Sequence, residues 1–236
     1  MKTGTYQHKQ NCVRPGGLLA DCQNVENRSA LMCRILQEPP TNHKLRNLVN
    51  LYKSNWRCCF CKRLTGFANL SFERAINYAA AGKEFDGQTH NCHLRRLKNK
   101  SLAAGWTALS SKAKQLKSCK TFDNLYTEVE NTVTEQRISG LGLMYFYDVA
   151  LRIGASQGIL PNNVYLPCGA KHGAQNLSKV LHLELDFDKR SIDMNRLPDE
   201  LKCLTEYEVE DFLCIFGNSF SCDGKKTNGK CQFQSL

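Results

Sequence analysis

Ile138-Ser139-Gly140-Leu141-Gly142-Leu143 is the stretch whose reading decides the fold. Upstream of it, Thr121 is placed to cap a helix on which Phe122, Leu125, Val129 and Val133 recur at helical spacing; downstream, Phe146, Val149, Ala150 and Ile153 do the same. Two amphipathic helices therefore flank a short turn with glycines at alternate positions. Glycine accepts positive φ and, having no Cβ, lets the backbone come close to a partner. The helix after the turn starts with N–H groups that have no acceptor within the helix and carry partial positive charge, so Gly140, Leu141, Gly142 and Leu143 are expected to hold one phosphate oxygen. A plain αα-hairpin with glycines in its turn is the alternative.

Working outward, Leu45, Leu48, Val49 and Tyr52 predict a helix from Lys44, and a second is expected over Leu70 to Ala81, closing before Gly82. Pro39-Pro40 should end a helix running through Ala30, Leu31, Ile35 and Leu36, and Val13 to Gly17 reads as a turn. Leu94, Leu97, Leu102, Trp106, Leu109, Ala113 and Leu116 form an apolar stripe interrupted at Gly105. Thr205-Glu206-Tyr207-Glu208 reads as a capping box, opening a helix whose apolar face is Val209, Phe212, Leu213 and Phe216 and which Gly217 should stop in a left-handed turn. The fold class expected is mainly α, with a two-helix hairpin near the middle of the chain. Residues 1–120 form a basic helical region, 121–217 carry the hairpin and the C-terminal helices, and 218–236 a loose tail, with 1–217 able to pack as one unit.

Charge is unevenly spread. Residues 1–120 hold 21 Lys/Arg against 6 Asp/Glu, whereas 121–236 hold 11 against 16, so the net +10 belongs to the first half. Between His93 and Lys120 there are eight basic residues (Arg95, Arg96, Lys98, Lys100, Lys112, Lys114, Lys117, Lys120) and no acidic one. A solvated helix normally interleaves Glu at four-residue spacing, so unrelieved repulsion here favours an anion lying alongside, although surplus lysines also serve solubility.

Hydrophobic residues at 42% exclude a disordered chain, and no run reaches the ~18 apolar residues of a membrane span. Met1 to Gln10 lacks an export signal, so a cytoplasmic, nucleoid-associated location is expected, with most of the 13 cysteines reduced. Phosphate-binding loops with a lysine, dinucleotide fingerprints and serine-nucleophile elbows are absent from the sequence, which leaves nucleotide hydrolysis, nucleotide cofactors and acyl transfer without support.

The pattern Ile138-x-Gly140-Leu141-Gly142 between two amphipathic helices resembles the helix-hairpin-helix superfamily of sequence-tolerant DNA binders, over residues 122–155. Within it, the base-excision glycosylase branch implies a mainly α, helical DNA-glycosylase-like architecture with a helix-hairpin-helix element, and a catalytic aspartate downstream of the second glycine. Counting from Gly142, that place falls at Asn163, and the Schiff-base lysine of the bifunctional members is replaced by Met144. The resemblance then leaves Asn163 to position a water and Asp148, on the hairpin helix, or Glu73 or Glu84 upstream, to supply the carboxylate. Arg95, Arg96, Lys98, Arg152, Lys171 and His172 are expected DNA contacts beside the hairpin. Tyr147 to Gly154 with Val164-Tyr165-Leu166 is also similar to a stretch of uncharacterised bacterial proteins, which implies that 138–175 form one unit.

Cys58 and Cys61 form a C-x-x-C pair, and the segment Thr89-His90-Asn91-Cys92-His93, with His90 and His93, begins 28 residues on. Two thiolates and two imidazoles suit tetrahedral zinc, so a structural zinc is one expectation; buried free thiols, with His93 facing DNA, are the other. No cofactor is otherwise required. Three functions follow: a DNA N-glycosylase-like enzyme acting on damaged or modified bases in repair or defence, its duplex partner presenting a flipped base; a non-catalytic DNA-binding or nucleoprotein-assembly module; and a zinc-stabilised protein-interaction domain.

Overall fold

The computed structural model describes Ile35, Glu38, Pro39, residues 41–89, Asn91 and residues 93–220. The expected turn at 13–17 and the helix through Ala30 lie outside the described residues, apart from a helical, buried Ile35. The protein is mainly helical. Helix α1 (Asn42–Asn55) starts where the Thr41 hydroxyl accepts the Lys44 N–H, and it buries Leu45, Leu48, Val49 and Tyr52. After α2 (Arg57–Ala68), α3 (Phe72–Ala80) is capped by Ser71 and ends before Gly82, whose φ is +67°.

The long apolar stripe is not one helix. Leu94 lies in a turn, α4 (Asn99–Ser111) ends at Lys112, and a short α5 (Ala113–Ser118) follows. The helix runs straight through Gly105, whose missing side chain admits its neighbours: a Cβ there would lie 2.5 Å from Tyr145 Oη and 2.8 Å from Leu141 Cδ1. The two hairpin helices are α6 (Phe122–Glu135), capped by Thr121, and α7 (Leu143–Gln157). A two-residue β1 (Val164–Tyr165) pairs antiparallel with β2 (Ser191–Ile192), bracketing α8 (Cys168–Leu181), and α9 (Glu206–Phe216) closes the fold.

Apolar residues gather into two cores that do not follow chain order. One joins α2 to α7, with Phe67, Ile76, Leu109, Val129, Tyr145 and Ile153 buried. The other draws α1 across to α8, α9 and the strand pair, around Leu48, Tyr52, Leu177, Phe212 and Phe216. Helix α1 thus packs with the C-terminal third, and Tyr207 of α9 reaches into the first core, where it stacks on Phe60 of α2.

Gly217 differs from expectation. It is right-handed (φ −53°, ψ −38°) and leads into a 3-10 turn over Gly217–Phe220, whose Phe220 is buried, so the packed chain extends past 217. Glycine is needed there for closeness: a Cβ on Gly217 would lie 2.6 Å from Gly173 Cα, and one on Gly173 only 2.2 Å from the Leu213 carbonyl oxygen. Gly169 and Gly173, four apart, therefore let α8 sit directly on α9. Overpacking of this kind costs about 1–3 kcal/mol. Gly173→Ala is expected to lose that much stability in denaturant titration, and an unchanged midpoint would contradict the contact.

Candidate functional site

The hairpin turn runs from Gln136 to Gly142. Gly140 has φ +86°, a conformation that side chains resist, and Leu141 turns inward against α4 while Gly142 stays exposed and extended as the first cap of α7. No side chain caps α7, and a Cβ on Gly142 would meet nothing within 4 Å. The start of α7 is accordingly uncapped and open around Gly142. Leu143, 46% exposed, stands beside it, and Ser101 at the start of α4 donates to the Ser139 carbonyl at 2.7 Å, tying the turn to that helix.

That tie brings in the basic segment. Arg95, Arg96, Lys98 and Lys100 are all exposed and immediately precede Ser101, on the loop and first turn of α4. The other four basic residues lie at the far end of α4, about 18 Å away at 1.5 Å per residue, so the expected continuous basic face is two separate groups. Lys117 there pairs with Glu73 at 3.8 Å. Lys171 is half-buried and His172 exposed on α8, with the His172 ring 3.2 Å from Asn176; Gly169 and Gly173 around them serve helix packing.

Arg152, expected on a DNA-facing surface, is inside. Its guanidinium pairs with Asp148 Oδ1 at 3.1 Å and Glu84 Oε1 at 3.6 Å and lies over the Phe67 ring. Asp148 Oδ2 meets His93 Nδ1 at 3.3 Å, and Arg63 reaches Glu84 at 4.0 Å. Helix α9 adds three more buried acids. Glu208 accepts from Arg57 Nε at 2.7 Å and from the Cys61 thiol, Glu210 from the Cys214 thiol at 3.3 Å, and Asp211 from the Tyr52 hydroxyl at 2.9 Å. The buried Tyr147 hydroxyl and Glu84 Oε2 have no hydrogen-bond partner. A cavity of about 20 Å³, lined by Phe60, Arg63, Phe67, His93, Asp148 and Arg152, opens at this seam. It has room for roughly one water.

Charge inside this seam is finely divided. Burial pushes the Asp148 carboxyl up, but Arg152, then His93 and Arg63, outweigh it and hold the group down at about 2. Burial, reinforced by the adjoining Asp211 carboxylate, pushes Glu210 up to about 8, and burial likewise raises Asp211. One carboxylate is thus ionised at neutral pH while its neighbour on α9 keeps a proton. That separation within one cluster is what acid–base chemistry requires.

The expected zinc ligands are not assembled among the described residues. Cys58 is exposed, Cys61 turns to Glu208, His93 turns to Asp148, and His90 lies outside the described residues. Nor do the described residues contain any group of three or more His, Cys, Asp or Glu placed to hold a metal. Asn163 lies on the bend before β1, its amide donating to Asn162 at 3.5 Å, beyond the C-terminus of the helix whose middle carries Asp148. Among other sequence candidates, Glu84 joins the network and Glu73 stays on the surface.

Sequence reasoning read Glu208 only as a helix cap and missed Glu210 and Asp211. A signal existed: Tyr207, Val209, Phe212, Leu213 and Ile215 spread around nearly every side of α9, which implies that its acids face protein, and in the fold every residue from Tyr207 to Leu213 is buried. No protein-family model, curated protein or solved structure matches the chain. Among the described residues no helix is long and apolar enough to cross a membrane.

Proposed function

We propose that this chain binds duplex DNA through the Gly140–Leu143 hairpin and the 95–100 basic segment, and that it acts on a damaged or modified base as an N-glycosylase-like hydrolase. The observation that carries this reading is the Ser101–Ser139 bond, which sets four exposed basic residues beside an open, uncapped helix start. One phosphate would sit on the α7 N–H groups while Arg95, Arg96, Lys98 and Lys100 neutralise its neighbours. Five residues further along α7, about 7.5 Å by helical rise, comes Asp148 at the cavity wall. Its buried negative charge favours the positive character that the sugar develops as a base departs.

A non-catalytic DNA-binding module is the second reading, and one observation favours it: the cavity holds a water rather than a base, and both Asp148 oxygens are already engaged. In the catalytic reading the flipped base therefore rests outside, against Leu64 and His93, lining residues that reach the surface.

Binding is tested by fluorescence anisotropy with a labelled duplex across a salt series. Contacts to about four phosphates predict log K falling against log salt with a slope near −3 to −4. Gly142→Phe fills the open space without touching the fold, so it should weaken binding at least tenfold with unchanged unfolding, while Arg95→Ala should flatten the slope by about one. Salt-independent binding, or none, would overturn the reading.

A further inference from the structure

We propose that His93 is the proton-transferring catalytic residue of this site and that Asp148 is its positioning residue, a role that rests on the N-glycosylase-like reading above. His93 and Asp148 are 55 residues apart in sequence, yet Nδ1 and Oδ2 stand 3.3 Å apart across the seam. The two side chains differ in access. His93 is 33% exposed at the cavity mouth, whereas the Asp148 side chain is 8% exposed behind it, its other oxygen fixed by Arg152.

Asp148 holds the ring and a second contact holds the backbone that carries it. The main-chain N–H of His93 donates to Asn91 Oδ1 at 2.7 Å, and Asn91, fully buried, is anchored by its N–H to the Gly82 carbonyl. Arg152 is fixed in turn by Glu84 and Phe67, so the carboxylate that orients the imidazole cannot swing away. An imidazole oriented by a buried carboxylate, itself held by a second layer of contacts, is the arrangement general acid–base catalysis uses. The charged groups facing His93 are Asp148 and Arg152 from α7, Arg63 from α2, and Glu210 and Asp211 from α9. Asp148 touches the ring at Nδ1, while Glu210, protonated at neutral pH, adds no negative charge beside it.

The chemistry balances as a hydrolysis. The C1′–N bond breaks with its electron pair passing to the base nitrogen, and the His93 imidazolium gives that base a proton. A water then adds through oxygen to C1′ and returns a proton to the neutral imidazole. One water is consumed, free base and an abasic sugar are released, and His93 regains its starting form. Of the cavity lining, His93, Asp148, Arg63 and Arg152 are the polar members, so a water entering it finds its hydrogen-bond partners among them.

The test follows the His93 ring by ¹⁵N–¹H correlation in the full chain across pH, for the wild type and Asp148→Asn. In parallel, base release is measured from duplexes carrying uracil, hypoxanthine or 7-methylguanine. The carboxylate should hold the imidazolium to a pH at least one unit higher in the wild type than in Asp148→Asn, a tenfold difference in proton affinity. The alkaline limb of the kcat profile should move down by that same interval in Asp148→Asn, and His93→Gln, at a surface position, should lose at least 100-fold in kcat while KM holds. Equal ring midpoints in the two proteins would remove the dyad whatever the chain does to DNA. Wild-type release by His93→Gln, or a limb that ignores the ring midpoint, would remove the catalytic role while leaving the glycosylase reading intact. A coupled ring in a chain that releases no base would overturn both the hydrolase reading and the role of His93 within it.

Discussion

Replacing Arg152 with methionine is expected to lower the unfolding free energy by about 3–5 kcal/mol, because it leaves Asp148 and Glu84 buried without their shared cation. Asp148 is 6% exposed and Glu84 7%, so neither carboxylate can turn to water for compensation. The loss is read from guanidinium titration followed by circular dichroism, with the denaturant slope checked for constancy. Arg190→Met is the control. Arg190 pairs with Glu130 at 3.3 Å but is half exposed, and pairs of that kind contribute about 0–1 kcal/mol. A loss of less than about 1 kcal/mol at Arg152 would mean that the seam is not the buried ionic network it is taken to be.

The second large effect is an unusual dependence of stability on pH. Glu210 is raised from 4.5 to about 8 in the folded chain, so between those values the folded state holds a proton that the unfolded state has released. Stability from this group is fully present below about 4.5 and is lost as pH rises through 8. Asp148 works the other way: lowered from 3.8 to about 2, its contribution is present above 3.8 and fades as pH falls towards 2. Together they place the optimum at about pH 4–5, more acidic than the usual maximum between pH 5 and 8. From pH 5 to 8 the unfolding free energy should fall by about 2–4 kcal/mol, and Glu210→Gln should flatten most of that slope. A stability that holds level or rises across this interval would contradict a protonated Glu210.

The elements that could be read from the residues are those whose signals are local. Thr121 and Ser71 cap helices where short polar side chains precede an apolar repeat, and Glu208 Oε2 accepts the Thr205 N–H at 2.9 Å, as its place three residues on predicts. The glycine hairpin between α6 and α7 is likewise local, set by Gly140 and the two flanking repeats. What escaped reading depends on which helices meet. Gly217 reads as a helix stop and is instead a point of contact with Gly173, a role that no spacing within α9 reveals.

The same limit applied to the site. Asp148 was legible as a carboxylate on the hairpin helix, but its partners come from a loop 55 residues earlier and from α9 about 60 residues later. Arg152 follows Asp148 at the four-residue spacing of an exposed pair, and only the packing of α3 and α2 against α7 turns it into a buried one. His93 shared a short segment with other histidine and cysteine residues, which suggested a metal; the fold instead gives its Nδ1 to a carboxylate.

N-glycosylase activity is tested most directly by incubating the purified chain with duplexes carrying a panel of damaged and modified bases, followed by alkali and strand analysis. Alkali-labile breaks are expected at one class of modified base, absent with unmodified duplex and sharply reduced in His93→Gln. Binding of the same duplexes without any break at any base would contradict this activity and leave the hairpin as a non-catalytic grip on DNA.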